Sequence, residues 1–270
     1  MRGLCQTPDY HAPVYDAQRL GGNCRQQWGR RARPDGVELG RLWAKEGRRR
    51  SHRPGLFRYA GEWVMASMQA VLFDFGGVLV RTQSWERRLA WDARLGLAPG
   101  SVEELVFNSE HGRAAQLGLF TEAAHWVWVG KTIGLSSEQL SELRRDFWAE
   151  DRLDVALMAF IRRLKRHCAI GLISNAMDGL RAELARLGIA DVFDEVVISA
   201  EFGRLKPDPA IYQHTLRLLD CPPECAVFID DFARNVQGAR AVGLAAIHFT
   251  PELDLVAELA RLGVAPHTLG

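Results

Sequence analysis

The run AVLFDFGGVLV at 70–80 constrains the fold more than any other stretch. Ala70 and the three residues Val71 to Phe73 lead without a break into Asp74. Gly76 and Gly77 follow, and then a second apolar run, Val78 to Val80. A short, uninterrupted apolar run suits a strand buried on both faces of a parallel sheet. The glycine pair marks a sharp turn at its end. A carboxylate just past such a strand stands at the edge where open α/β sheets bind ligands. Taken alone, Asp74 reads as a cap for the turn. The later strands change that reading.

After residue 167, strand and helix patterns alternate. Strands are expected at 168–175 (CAIGLISN), 195–200 (EVVISA), 226–231 (AVFIDD) and 245–249 (AAIHF). Helices are expected around Leu180 to Leu187, from Pro209 to Leu219, from Asn235 to Val242, and over 251–262. Strands separated by helices of this length specify an α/β fold, a doubly wound parallel sheet with right-handed crossovers. Between the first and second strands the pattern is helical throughout. Trp85, Leu89, Ala93 and Leu97 recur every four residues, and Gly112, Gly118 and Gly134 break later amphipathic segments. The expected organisation is a core formed by 69–81 and 167–270, with an all-helical insertion over 82–166. Five of the eight tryptophans fall in the insertion. Trp126 and Trp128, two apart, cannot share one helix face, so one of them is expected to face a ligand.

The first 68 residues differ in kind. They carry 13 Lys/Arg against 6 Asp/Glu, a balance of +7, whereas 69–270 carry 21 against 27, a balance of −6. They show no sustained period and little aliphatic content, so they bury too little to offset their ordering entropy. The expectation is a basic, disordered extension, with the functional protein beginning at Met65 or Met68. A nucleic-acid-binding arm is the disfavoured alternative. No apolar run approaches the roughly 20 residues needed to cross a bilayer, and no signal segment opens the chain, so no membrane partner and a cytoplasmic location are expected. Five cysteines without CxxC spacing argue against a disulfide framework or a zinc site.

In a parallel sheet, the C-terminal strand ends share one edge. That brings together Asp74, Ser174 and Asn175, and Asp230 and Asp231, with the loop containing Arg204, Lys206 and Asp208 beside them. Carboxylates gathered at one point repel unless a cation lies among them, and all-oxygen ligands suit Mg²⁺. A hydroxyl, a lysine and free backbone N–H groups on the same rim hold a phosphate. A carboxylate nucleophile, Mg²⁺ and such a clamp make a phosphoryl-transfer site.

The motifs LFDFGGVL, LISN, GRLKPDPAIY and VFIDDFARNVQGARAVG together resemble the haloacid dehalogenase superfamily of phosphatases, with a helical cap inserted after the first motif. The resemblance runs from Ala70 to Phe249 and implies a Rossmann-like core. It implies that Asp74 is the nucleophile, that Ser174 and Lys206 bind the transferring phosphoryl group, and that Lys206 steadies Asp74. It also implies that Asn175 contributes phosphate or backbone contacts. Asp230 would ligate Mg²⁺, with Asp231 acting directly or through water and Gly76 through its backbone carbonyl. One position departs from the pattern. Phosphatases of the family usually carry a second aspartate two residues after the nucleophile, as general acid and base, and here that position is Gly76. A positioned acid–base contributes about 10²–10⁴-fold, so slow turnover or a substitute is implied. Glu110, His111, Glu122 and His125 in the cap are the candidate substitutes. The expected function is a Mg²⁺-dependent phosphatase acting on a small phosphorylated metabolite, a sugar phosphate among the options. The alternatives are a metal-free dehalogenase, which the Asp230–Asp231 pair disfavours, and a degenerate binding domain that turns nothing over.

Overall fold

The computed structural model describes residues 68–264, so the basic stretch read as an extension lies, up to residue 67, outside the described residues. In chain order, β1 (Ala70–Phe73) and β2 (Val80–Thr82) precede five cap helices. These are α1 (Glu86–Arg94), α2 (Ser101–Phe107), α3 (Glu110–Gln116), α4 (Glu122–Thr132) and α5 (Ser137–Trp148). The chain returns through β3 (Asp151–Leu153) and α6 (Val155–Leu164) to β4 (Ala169–Ser174), α7 (Leu180–Arg186), β5 (Glu195–Ile198) and α8 (Ser199–Phe202). It continues with α9 (Pro209–Leu218), β6 (Ala226–Asp230), α10 (Ala233–Ala241), β7 (Ala245–His248) and α11 (Leu255–Arg261).

Five strands form one parallel sheet in the order β5-β4-β1-β6-β7. The apolar run of β1 is therefore the middle strand, and all four of its residues are fully buried. Its side chains alternate between two cores. Val71 and Phe73 pack with Met158, Ile161, Leu180, Leu184, Leu255 and Leu259 from α6, α7 and α11. Ala70 and Leu72 pack with Ile211, Tyr212, Leu216 and Ala239 from α9 and α10. Burying a Val, Leu or Phe side chain stabilises by about 1.5–3 kcal/mol, so this strand holds both layers to the sheet. The chain winds from β1 through β4 to β5 on one side, then to β6 and β7 on the other. Ligands bind at the carboxyl edge of a sheet where the winding reverses.

The stretch 82–166 is not purely helical. β2 and β3 pair antiparallel, with Val80 opposite Leu153 and Thr82 opposite Asp151. An insertion that leaves and re-enters the core at neighbouring points brings its two connecting segments side by side, and here they pair. Helix α6 packs into the sheet core rather than the cap, because Met158, Ile161 and Leu164 form one apolar stripe facing β1 and β4. The cap has its own core of Trp91, Val102, Val106, Trp126, Val129, Leu143 and Phe147. Buried Arg88 ties it to the ribbon, donating to Phe147 O at 2.8 Å and to Asp151 Oδ1 at 2.9 Å. Two smaller differences concern ends: the strand expected to run to Ala200 turns helical at Ser199, and the last helix starts at Leu255, capped by Asp254.

Where cap meets core, the backbones approach closely. The Ser199 hydroxyl donates to Gln116 O at 2.7 Å and accepts from Ala176 N. Gly118, at φ +76°, leaves no room for a Cβ, which would fall 2.0 Å from Ala200 O. Asp178 accepts from the Glu122 N–H at 2.7 Å. Cys168, Cys221 and Cys225 are free. Among the described residues, no helix is long and apolar enough to cross a membrane.

Candidate active site

The carboxyl ends of β1, β4 and β6 bring together Asp74, Ser174 and Asp230, as their strand-end positions lead one to expect. The Asp74 N–H continues the ladder by donating to Ile229 O at 2.9 Å, which fixes its side chain over the junction of β1 and β6. Lys206 reaches in from the loop after α8, only 2% exposed. Its Nζ stands 2.7 Å from Asp74 Oδ1 and 2.7 Å from Asp230 Oδ2, and donates to Ile173 O at 2.9 Å. Asn175 holds that loop in place: its Oδ1 accepts from the Lys206 N–H at 2.7 Å and its Nδ2 donates to Lys206 O at 3.0 Å. Asn175 thus acts on Lys206 through the backbone. Asn235, which the sequence did not single out, donates to both oxygens of Asp230 at 3.0 and 3.1 Å.

One oxygen each from Asp74, Asp230 and Asp231 lie within 4.8 Å of one another. Three carboxylates against one ammonium leave an excess of two negative charges. Burial pushes the Asp74 carboxyl well above its ordinary range, against the pull of Lys206 and with added repulsion from Asp230. Burial, with Asp230 beside it, raises Asp231 from 3.8 to about 6. Burial opposes the charge on Lys206, yet Asp74 and Asp230 hold its affinity for the proton above the ordinary value. Asp231 Oδ1 is buried with no hydrogen-bond partner. A buried orphan oxygen is costly unless a cation or water meets it. The donor set is all oxygen and over-charged by two, so it fits a hard divalent cation such as Mg²⁺.

The two adjacent glycines have different reasons to be there. Gly77 has φ +77°, and a Cβ on it would lie 2.1 Å from Asp231 Oδ2. Gly76 has no such constraint: nothing lies within 4 Å of the position its Cβ would take, and its φ is outside the left-handed region. Its backbone adopts a conformation open to any residue.

The model for haloacid dehalogenase-like hydrolases matches residues 68–243. The chain belongs to that family. It is 28% identical over 198 residues to the sesquiterpene phosphatase astK of Aspergillus oryzae, a match covering 73% of this chain and 97% of the relative. It is 41% identical over 86 residues to a glyceraldehyde 3-phosphate phosphatase of Methanothermobacter thermautotrophicus, which covers 31% of this chain and 38% of that one. Among solved structures, a family enzyme of Bacteroides thetaiotaomicron in complex with magnesium and inorganic phosphate superposes with a TM-score of 0.61 at 19% identity. The superposition covers 71% of this chain and 99% of the other. At that identity the likeness concerns the fold.

A cleft of about 380 Å³ in this hydrolase lies between α2–α3 of the cap and the loop of Asn175 and Lys206. None of the four cap residues expected to replace a missing acid lines it. His125 is fully buried and donates through Nε2 to Val106 O, with Nδ1 against Nδ1 of His111 at 2.9 Å. His111 is stacked between Phe120 and Trp128, each centroid 4.4 Å away. Glu122 accepts from the Trp126 indole at 3.3 Å, and Glu110 is exposed. Burial pushes both histidines below the ordinary imidazole range, which suits a packed pair in the cap. Trp126 is cap core and Trp128 covers His111, so neither faces the cleft.

Proposed function

We propose that this hydrolase is a Mg²⁺-dependent phosphatase of a small phosphorylated metabolite, working through an aspartyl phosphate on Asp74. The observation that carries the reading is the cluster of buried Asp74 and Asp230, bridged by Lys206, with half-buried Asp231, one of whose oxygens has no partner. Mg²⁺ held by Asp74, Asp230, Asp231 and the Gly76 carbonyl would offset the charge of an incoming phosphoryl group. Lys206 keeps its proton and screens Asp74 from Asp230, so the nucleophile approaches a phosphate dianion at lower cost. Ser174, buried at the end of β4, and Lys206 bind the phosphoryl oxygens. Asn175 and Asn235 position Lys206 and Asp230. Relatives named for a sesquiterpene, glyceraldehyde 3-phosphate and phosphoserine include chemically distant substrates, so no single substrate carries over.

Gly76 sets which esters this site cleaves. With no carboxylic acid at that position, the leaving oxygen departs with little protonation. Weakly basic leaving groups tolerate that, and simple alkoxides do not. Each tenfold in rate corresponds to about 1.4 kcal/mol of barrier, so a better leaving group offsets part of a missing acid. The test is the slope of log kcat/KM against leaving-group pKa over aryl and alkyl phosphates, with and without Mg²⁺. A steep negative slope and loss of turnover with chelator are expected. The open space at Gly76 makes Gly76→Asp a clean complement, expected to raise alkyl phosphate turnover more than aryl and so flatten the slope. A flat slope in the unmodified enzyme would mean that a proton donor is present. Halide release from a 2-haloacid without Mg²⁺ would replace the phosphatase reading altogether.

A further inference from the structure

Three arginines share the cleft with Lys206. Arg113 comes from α3 of the cap, Arg204 from the loop just before Lys206, and Arg234 from the start of α10. Most arginines of the described residues have a carboxylate within reach, as Arg88 has Asp151 at 2.9 Å and Arg181 has Glu201 at 2.6 Å. Among the described residues, Arg113 and Arg234 have none, and neither do Arg163, Arg166, Arg217 and Arg240, which do not line the cleft. Arg204 has only Asp208, at 3.8 Å, and Asp208 is already engaged in capping α9 through the Ala210 N–H. Unpaired surface arginines are usually just solvated. Here, however, three from separate elements line one cleft together with Lys206, the lysine that contacts Asp74 and Asp230.

The charge indicates what they hold. With Asp208 counted against Arg204, about two positive charges remain, which a carboxylate only half offsets and a phosphate dianion matches. Guanidinium groups also bind phosphate oxygens in pairs of parallel hydrogen bonds. The second clue is Gly76: a leaving group that is itself a phosphate needs no proton donor. Resting on the phosphatase reading above, we propose that the substrate is an organic diphosphate. Its terminal phosphoryl group goes to Asp74, and Arg113, Arg204 and Arg234 hold the phosphate that stays on the organic part. An Asp74 oxygen bonds to the terminal phosphorus, the bridging P–O bond breaks, and its electron pair remains on the departing monophosphate. Water then adds to the aspartyl phosphate, restoring the Asp74 carboxylate and releasing inorganic phosphate, which carries the water's protons. The apolar wall of Phe107 and Leu117 faces the organic part.

The test is isothermal titration calorimetry of the full chain carrying Asp74→Asn, with inorganic pyrophosphate and with inorganic phosphate, in excess Mg²⁺ at one ionic strength. Pyrophosphate is expected to bind at least ~10-fold more tightly, because charged guanidinium groups add hydrogen bonds to its second phosphate. Adding Arg113→Ala and Arg234→Ala should remove that preference. Arg217→Ala should leave it intact, because Arg217 is an exposed arginine of α9 that does not line the cleft. Equal affinity for the two anions, a preference that survives the double substitution, or an equal loss with Arg217→Ala would each overturn the diphosphate subsite. The readout does not depend on turnover. A chain that hydrolyses no phosphate ester yet keeps the arginine-dependent preference would sink the phosphatase reading and leave the subsite standing.

Discussion

Gly76 and Gly77 sit side by side, and only the second is demanded by the backbone, through its positive φ and the Asp231 carboxylate against it. That difference makes the missing aspartate at 76 a chemical choice. Asp74, Ser174, Asp230 and Asp231 were legible because each ends an apolar run, and strand ends converge in any parallel sheet. Asn235 was not, because its role depends on how the first turn of α10 faces Asp230. Nor was the clustering of Arg113 with Arg204 and Arg234, which depends on where the cap sits. Asp231 carries a pH prediction. In the metal-free fold its carboxyl is raised from 3.8 to about 6, so the folded state binds the proton more tightly than the unfolded chain. Its contribution to stability is full below the unfolded value and is lost as pH rises through about 6. Mg²⁺ competes with that proton. The rise in Tm on adding Mg²⁺ is therefore expected to be smaller at pH 5 than at pH 7.5, with that pH dependence reduced in Asp231→Asn and the remainder due to Asp74, whose carboxyl burial also pushes up. A pH dependence unchanged in Asp231→Asn would remove Asp231 from the ligand set.

At the level of elements, the strands of the main sheet were legible from their apolar runs. The ribbon of β2 and β3 was not: three residues each, with Arg81, Arg152 and Asp151 among them, leave no periodicity to read. Helix α6 was assigned to the insertion because an apolar stripe does not say which core it faces. Helix α10 carries a test of how elements set the site. A Cβ at Gly238 would lie 2.6 Å from Pro207 Cβ and 2.9 Å from Pro207 O, so α10 packs directly on the residue after Lys206. Gly to Ala within a helix favours the helix by about 1 kcal/mol, whereas overpacking costs about 1–3 kcal/mol. Gly238→Ala should therefore lower Tm and reduce kcat/KM, since the relief moves the Lys206 loop. A more stable, fully active variant would show that this contact does not position the lysine.

On the scale of the whole molecule, the site belongs to the core sheet and the cap adds one side of the cleft. Among the described residues, Met68 packs against the sheet core and the Gln69 N–H donates to Cys225 O at 2.7 Å. The composition of the preceding residues predicts that a chain starting at Met65 folds with an unchanged Tm and unchanged kcat/KM. A fall in either would show that the basic stretch contributes to the fold or to the cleft. The central claim is that Asp74 takes the phosphoryl group from substrate. It is tested most directly by acid-quenching the full chain during turnover of an aryl phosphate in Mg²⁺ and mapping the modified peptide by mass spectrometry. The mass of one phosphoryl group is expected on the peptide containing Asp74, and on no peptide of Asp74→Asn. Continued turnover in Asp74→Asn, or a phosphoryl group on a different residue, would contradict it.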